Sequence, residues 1–121
     1  MKIIFIEDVP SWVDSLEFAI SPLFQSKGVG LSISTFKDGG MVLQEIMASH
    51  IDYIFIDYDL GGSYGDEIIS ELNSSPDFKN IPIIFYSAGL SVTELKDKSK
   101  DYGNITCLTK NGVTDYLKNL I

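Results

Sequence analysis

Four short apolar runs divide the chain. Residues 3–6 read IIFI, residues 31–36 read LSISTF with Ile33 and Phe36 as its apolar positions, residues 53–56 read YIFI, and residues 81–86 read IPIIFY. A weaker fifth, ITCL, covers residues 105–108. Each is too short for a helix and is rich in β-branched or aromatic residues, which predicts strands. The first, third and fourth are almost continuous rather than alternating. That is the mark of strands buried on both faces, as in a parallel sheet.

Helical spacing fills the intervals. Trp12, Leu16, Ala19, Ile20 and Leu23 recur three and four apart. Pro10 suits the first turn of that helix and Asp8 its N-cap, whereas Pro22 is expected to kink or end it early. Met41, Val42, Glu45, Ile46 and Ala48 predict a second helix after the turn at Asp38, Gly39 and Gly40. Ile68, Ile69 and Leu72 predict a third, ending near Asn73 and Pro76. The polar stretch 91–100 predicts a fourth, and Val113, Tyr116, Leu117, Leu120 and Ile121 a short last one. Strand and helix thus alternate five times. The expected architecture is α/β: one domain over residues 1–121, a five-stranded parallel sheet in order 2-1-3-4-5, and helices on both faces.

Composition narrows the partners. At 121 residues the chain is long enough for one core, and its mean hydropathy of +0.13 is ordinary for a globular domain. Nine lysines, no arginine and 17 acids leave a net charge of −8. Nucleic-acid binding requires the opposite balance, so a cation or a basic partner fits better. Cys107 is the lone cysteine, which excludes an internal disulfide and reads as a small packed hydrophobe. The apolar part of MKIIFIEDVP is too short for a signal peptide, and no run approaches the ~18 apolar residues of a membrane span. A cytoplasmic protein is expected.

Ligands in such sheets bind beyond the carboxyl ends of the strands, where the strand order reverses. The first strand ends in Glu7 and Asp8, the third in Asp57 with Asp59 two places on, the fourth in Ser87 and the fifth in Lys110. In the expected order the first and third strands are neighbours, so Glu7, Asp8 and Asp57 meet. Carboxylates about 5 Å apart repel by about 3 kcal/mol per ionised pair at an effective dielectric near 20. A bound hard divalent cation, with Mg²⁺ the expected cofactor, or the Lys110 ammonium would offset that cost.

The set Glu7–Asp8, Asp57, Ser87–Ala88 and Lys110, spread over the whole chain, resembles the receiver domain of two-component response regulators, a CheY-like, flavodoxin-like doubly wound fold. The resemblance implies that Asp57 accepts a phosphoryl group from a histidine kinase, a phosphotransfer protein or a small phosphodonor. It implies that Asp8 and Asp57 bind Mg²⁺, that Glu7 acts through water and that Asp59 contributes its main-chain carbonyl. Ser87 and Lys110 would each hold a phosphoryl oxygen. The implied outcome is a phosphoprotein signalling to a downstream effector, as a monomer or phosphorylation-linked dimer, and not a turnover enzyme.

The chain departs from that family at three places. Cys107 stands where receivers usually carry an aromatic switch residue. Asn111 and Gly112 follow the lysine in place of a proline, so a trans bond is expected there. Gly61 and Gly62 occupy the loop after Asp57, at a place where a proline is common. His50, the only histidine, reads as a surface residue. The charges of residues 91–100 read as a solvated face or as part of a partner surface. Two rival readings share parts of the pattern. One is a pseudo-receiver that only binds partners, motivated by Cys107 and Asn111. The other is a haloacid-dehalogenase-like phosphatase, in which Asp57 is the nucleophile and Asp59 the general acid.

Overall fold

The computed structural model describes every residue except Ser49 and the side chains of Ile46, Met47 and Ala48. In chain order it runs β1 (Lys2–Ile6), α1 (Pro10–Ser26), β2 (Ser32–Phe36), α2 (Val42–Ala48), β3 (Tyr53–Asp57), α3 (Gly65–Asn73), β4 (Ile83–Ser87), α4 (Val92–Lys98), β5 (Ile105–Thr109) and α5 (Val113–Lys118). All strand pairs are parallel, and the order is β2-β1-β3-β4-β5. This is the expected sheet. The side-chain signals at Ile46 and Ala48 lie outside the described residues, although the helix they helped to predict is present.

The near-continuous runs are buried on both faces, as their composition requires. On one face Ile3, Phe5, Phe55, Ile84 and Tyr86 pack against α1 and α5. On the other Ile4, Ile6, Ile54, Ile56 and Phe85 pack against α3 and α4. Phe5 and Phe55 stack across the β1–β3 pair with ring centroids 4.7 Å apart. A stripe of small and large apolar groups on each side thus locks the two central strands, β1 and β3, in register. Among the described residues no helix is long and apolar enough to cross a membrane.

Three local expectations need correction. The inward stripe of α1 is Val13, Leu16, Ile20 and Phe24; Ala19 is exposed, and Trp12 and Leu23 are half-buried. Asp8 does not cap α1: the N-cap position is Val9 and carries no side-chain hydrogen bond. Asp8 is drawn into the acidic cluster described below instead. Pro22 neither ends nor shortens α1, which continues to Ser26. Its ring lies on the exposed side, while Ile20 and Phe24, both buried, anchor the helix before and after it. Packing of two such side chains outweighs the roughly 3 kcal/mol that an interior proline costs a helix. By contrast α4 begins as its sequence suggests. Ser91 accepts from the Glu94 amide at 3.1 Å while Glu94 accepts from the Ser91 amide at 3.1 Å, a complete capping box.

Pro22→Ala restores the missing amide without touching the core. It is expected to raise the unfolding free energy, by up to about 3 kcal/mol, in urea denaturation followed by circular dichroism.

Candidate functional site

The carboxyl ends of β1, β3, β4 and β5 converge on one edge of the sheet. The Glu7 amide donates to the Phe36 carbonyl at 2.8 Å, which prolongs the β1–β2 pairing by one residue and fixes the direction of Glu7. Its side chain is wholly buried, and Oε2 has no hydrogen-bond donor among the described residues. Asp57 is 6% exposed and Asp8 is half-buried. One carboxylate oxygen from each of Glu7, Asp8 and Asp57 lies within 4.8 Å of the others.

Lys110 leans into this group from the turn Lys110–Gly112 that follows β5. Its Nζ lies 2.7 Å from Glu7 Oε1 and 3.8 Å from Asp57 Oδ2. One ammonium cannot neutralise three carboxylates. Burial pushes the Asp57 carboxyl up to about 8, the neighbouring Glu7 carboxylate adds to the rise, and Lys110 opposes it. Asp8 is also raised, first by burial and then by Glu7. A cluster this short of positive charge, with an orphaned buried oxygen and only oxygen donors, is chemically suited to a hard divalent cation.

Ser87 is 4% exposed. Its Oγ accepts the amides of Gly89 at 3.0 Å and Leu90 at 2.9 Å, so the hydroxyl shapes the β4–α4 loop and keeps its proton to donate. Asp59 lies apart from the three clustered carboxylates. Its Oδ1 accepts the Gly61 amide at 3.0 Å, and its own amide points at Asp57 Oδ1 at 3.4 Å. The Asp59 side chain therefore builds the loop. Gly61 adopts φ +77°, and a Cβ there would lie 3.0 Å from Asp8 Oδ2, so the position demands glycine twice over. These groups border an open depression of about 460 Å³ between the β3–α3 and β4–α4 loops, with Tyr58 and Leu90 in its wall.

Three contributors carry weak sequence signals. Gly65 opens α3 and donates to the Tyr58 carbonyl at 2.7 Å. A Cβ on it would strike the Asp57 carbonyl and come within 2.8 Å of Ile56 Cγ2. A lone glycine at a helix start gave no hint of this approach. Trp12 reads as a core residue in the helical pattern, yet its ring lies beneath the Lys110 ammonium, 4.5 Å from Nζ to centroid. Tyr86 ends an apolar run, but its hydroxyl is buried beside the acids and has no hydrogen-bond partner among the described residues; burial, and then Glu7, push the phenol up.

The family departures take definite places. Cys107 is half-buried beside Phe85 on β4, and its Sγ lies 3.6 Å from Ser99 Oγ. Among the described residues there is no cis peptide bond, so the bond before Asn111 is trans as expected. Tyr58 stacks on Tyr64 at 4.9 Å, and Lys98 of α4 lies over the Tyr58 ring at 5.1 Å. His50 is exposed, 2.9 Å from Asp52 Oδ1, at the opposite end of β3 from Asp57.

The profile of the response regulator receiver domain family matches residues 3–121. Among solved structures, the chain resembles the phosphorylated cyanobacterial phytochrome response regulator RcpA at 24% identity and TM-score 0.75, over 98% of this chain and 86% of that one. It resembles the Vibrio cholerae chemotaxis protein CheY4 at 18% identity and TM-score 0.72, over 99% and 98%. It also resembles the Mn²⁺-bound form of the response regulator Rcp1 at 17% identity and TM-score 0.69, over 98% and 90%. At these identities the structural likeness is one of fold. No curated protein sequence matches the chain.

Two outcomes follow from the packing and charge at this edge. Gly65→Ala is expected to destabilise the protein by about 1–3 kcal/mol, because backbone rather than a flexible side chain must yield; thermal or urea unfolding measures it. The folded Asp57 carboxyl keeps its proton to about pH 8, whereas the unfolded one releases it near 3.8. The folded state therefore binds the extra proton between those values, and the metal-free protein loses stability as pH rises from about 4 to about 8. Asp57→Asn should flatten that slope, so that its stability relative to the wild type is greater at pH 8 than at pH 5, in urea titrations at both values.

Proposed function

The chain belongs to the response regulator receiver domain family, and from that premise we propose that it is the phosphoryl-accepting switch of a two-component phosphorelay, with Asp57 as acceptor. The observation that carries this reading is the meeting of Glu7, Asp8 and Asp57 within 4.8 Å beside the Lys110 ammonium.

In this reading Asp57 attacks the phosphorus of a phosphohistidine, on a histidine kinase or phosphotransfer protein, or of a small acyl phosphate. The donor's P–N or P–O bond breaks, an acyl phosphate forms on Asp57, and the leaving group carries away the bonding electron pair. Asp57 must be ionised to attack, and burial together with Glu7 pushes its carboxyl up in the metal-free protein, which favours the unreactive protonated form. Asp8 and Asp57, with Glu7 through water and the Asp59 carbonyl, would hold Mg²⁺. The ion, when bound, would supply the charge that lets Asp57 ionise and that neutralises the phosphoryl oxygens. Lys110 stands 3.8 Å from Asp57 Oδ2, near enough to pair with a transferred oxygen. The Ser87 proton, left free by the loop hydrogen bonds, would meet another.

The product adds nearly two negative charges at the mouth of the β4–α4 loop. Ser87 and Lys110 end β4 and precede α5, so drawing both toward one group would shift the α4–β5 surface that an effector reads. The same reading makes the chain a cytoplasmic phosphoprotein with no turnover reaction of its own. A phosphatase of the haloacid-dehalogenase kind is disfavoured, because the Asp59 carboxylate is engaged with the Gly61 amide rather than aimed at the acceptor. A partner-binding pseudo-receiver is disfavoured because Asp57, Ser87 and Lys110 all stand at one edge.

Incubation with Mg²⁺ and acetyl phosphate should yield an acid-stable, base-labile phosphoprotein, seen by intact mass. Chelation or Asp57→Asn should abolish it. Lys110→Ala should slow it by roughly a hundredfold or more, the scale for removing one preorganised charge-stabilising group. Absence of labelling in the wild type, together with no spectral response to beryllofluoride, would sink the acceptor reading.

A further inference from the structure

Lys110 supplies the only ammonium within 4 Å of Glu7 and Asp57 among the described residues, and its side chain is just 19% exposed. Two of its partners are acids whose charge changes whenever the cluster binds a cation or a proton. The third is neutral. The Trp12 ring lies 4.5 Å below Nζ, in the first turn of α1. Phe5 meets the indole edge-on with centroids 6.1 Å apart, Tyr86 packs against it at a tilt with centroids 5.4 Å apart, and both are wholly buried. The half-buried ring thus packs against two buried aromatic side chains of the sheet.

Glu7 cannot give its full charge both to the ammonium 2.7 Å away and to a cation held by the cluster. Once Glu7 turns to a cation, the flexible lysine stem would carry its head toward water unless another group retained it. An aromatic face attracts an ammonium through its quadrupole, more strongly where water is excluded. That attraction does not depend on the charge state of the acids.

We infer that Trp12 is a positioning residue for the acceptor site: its indole face retains the Lys110 ammonium beside Asp57 when the acids engage a cation. This rests on the phosphoacceptor reading of the same site. No bond forms or breaks at Trp12. The contact holds a charge in place for a reaction that occurs elsewhere.

Trp12 is the chain's single tryptophan, so growth on fluorinated tryptophans alters that ring alone. Each fluorine drains negative potential from the ring face at nearly constant shape. The rate of phosphorylation by acetyl phosphate at saturating Mg²⁺ should fall at every step of the series, roughly two- to tenfold in total. In a Lys110→Ala background the thermal midpoint should stay constant across the series, which separates the ring's pull on the ammonium from its packing. In the metal-free wild type, the Lys110 ε-methylene protons should show an upfield ring-current shift that persists when Mg²⁺ is added and vanishes in Trp12→Leu. A flat rate series in a protein that does become phosphorylated would overturn the inference. So would loss of the ring-current shift on adding Mg²⁺. If the wild type is not phosphorylated at all, the acceptor reading fails by itself, and the Mg²⁺ titration of the ε-methylene shift alone decides whether Trp12 holds Lys110.

Discussion

Two carboxylates, Glu7 and Asp57, are withdrawn from water together at the ends of two adjacent central strands. The strands beneath them are buried on both faces, so the acids have little room to escape toward solvent. Ionised carboxylates in such a place repel each other and forfeit their hydration. The rest of the edge answers that constraint. Lys110 is drawn to Glu7 at 2.7 Å, the Asp57 carboxyl is pushed up, and Asp8 joins the group while Val9 takes the helix-capping position.

The same constraint links stability to chemistry. A fold stabilised by the Phe5–Phe55 stack and two apolar layers can carry an electrostatic penalty at one end. That penalty makes the edge chemically suited to a hard cation. Glycine appears where side chains would obstruct this arrangement: Gly61 against Asp8, and Gly65 against the backbone of Asp57. The loop hydrogen bonds of Ser87 and Asp59 hold the two rims of the depression in shape before any ligand arrives.

Of the departures from the usual receiver pattern, Cys107 lies away from the acidic edge, whereas Gly61–Gly62 and Asn111–Gly112 adjoin it, beside Asp8 and Lys110. Cys107 offers no ring, and its sulfur sits against Ser99 within the α4–β5 layer. The aromatic groups nearest the acidic edge lie elsewhere. Tyr58 and Tyr64 stack beside the depression under Lys98, and Tyr86 and Trp12 lie beneath Lys110. The sheet edge has its aromatic rings, in a different distribution.

Local, periodic signals were enough for the architecture. Runs such as IIFI and YIFI could be stable only as doubly buried strands, and their alternation with helical spacing leads to the sheet order and to the acids at its edge. Glu7, Asp57 and Ser87 were legible because each follows directly on an apolar run, and Asp8 and Lys110 because each stands one place further on. What the tertiary structure alone decided involves distances between segments far apart in sequence. Spacing within a loop could not tell that Asp59 turns to Gly61 while Asp57 faces Glu7. Helical periodicity could not tell that Trp12 would lie under Lys110 or that Gly65 would press on Asp57. Nor could the rule against interior proline anticipate that Ile20 and Phe24 would carry α1 through Pro22. Propensity and pattern act along the chain, whereas packing and Coulomb energy act across it, and at this site the second pair of effects prevails.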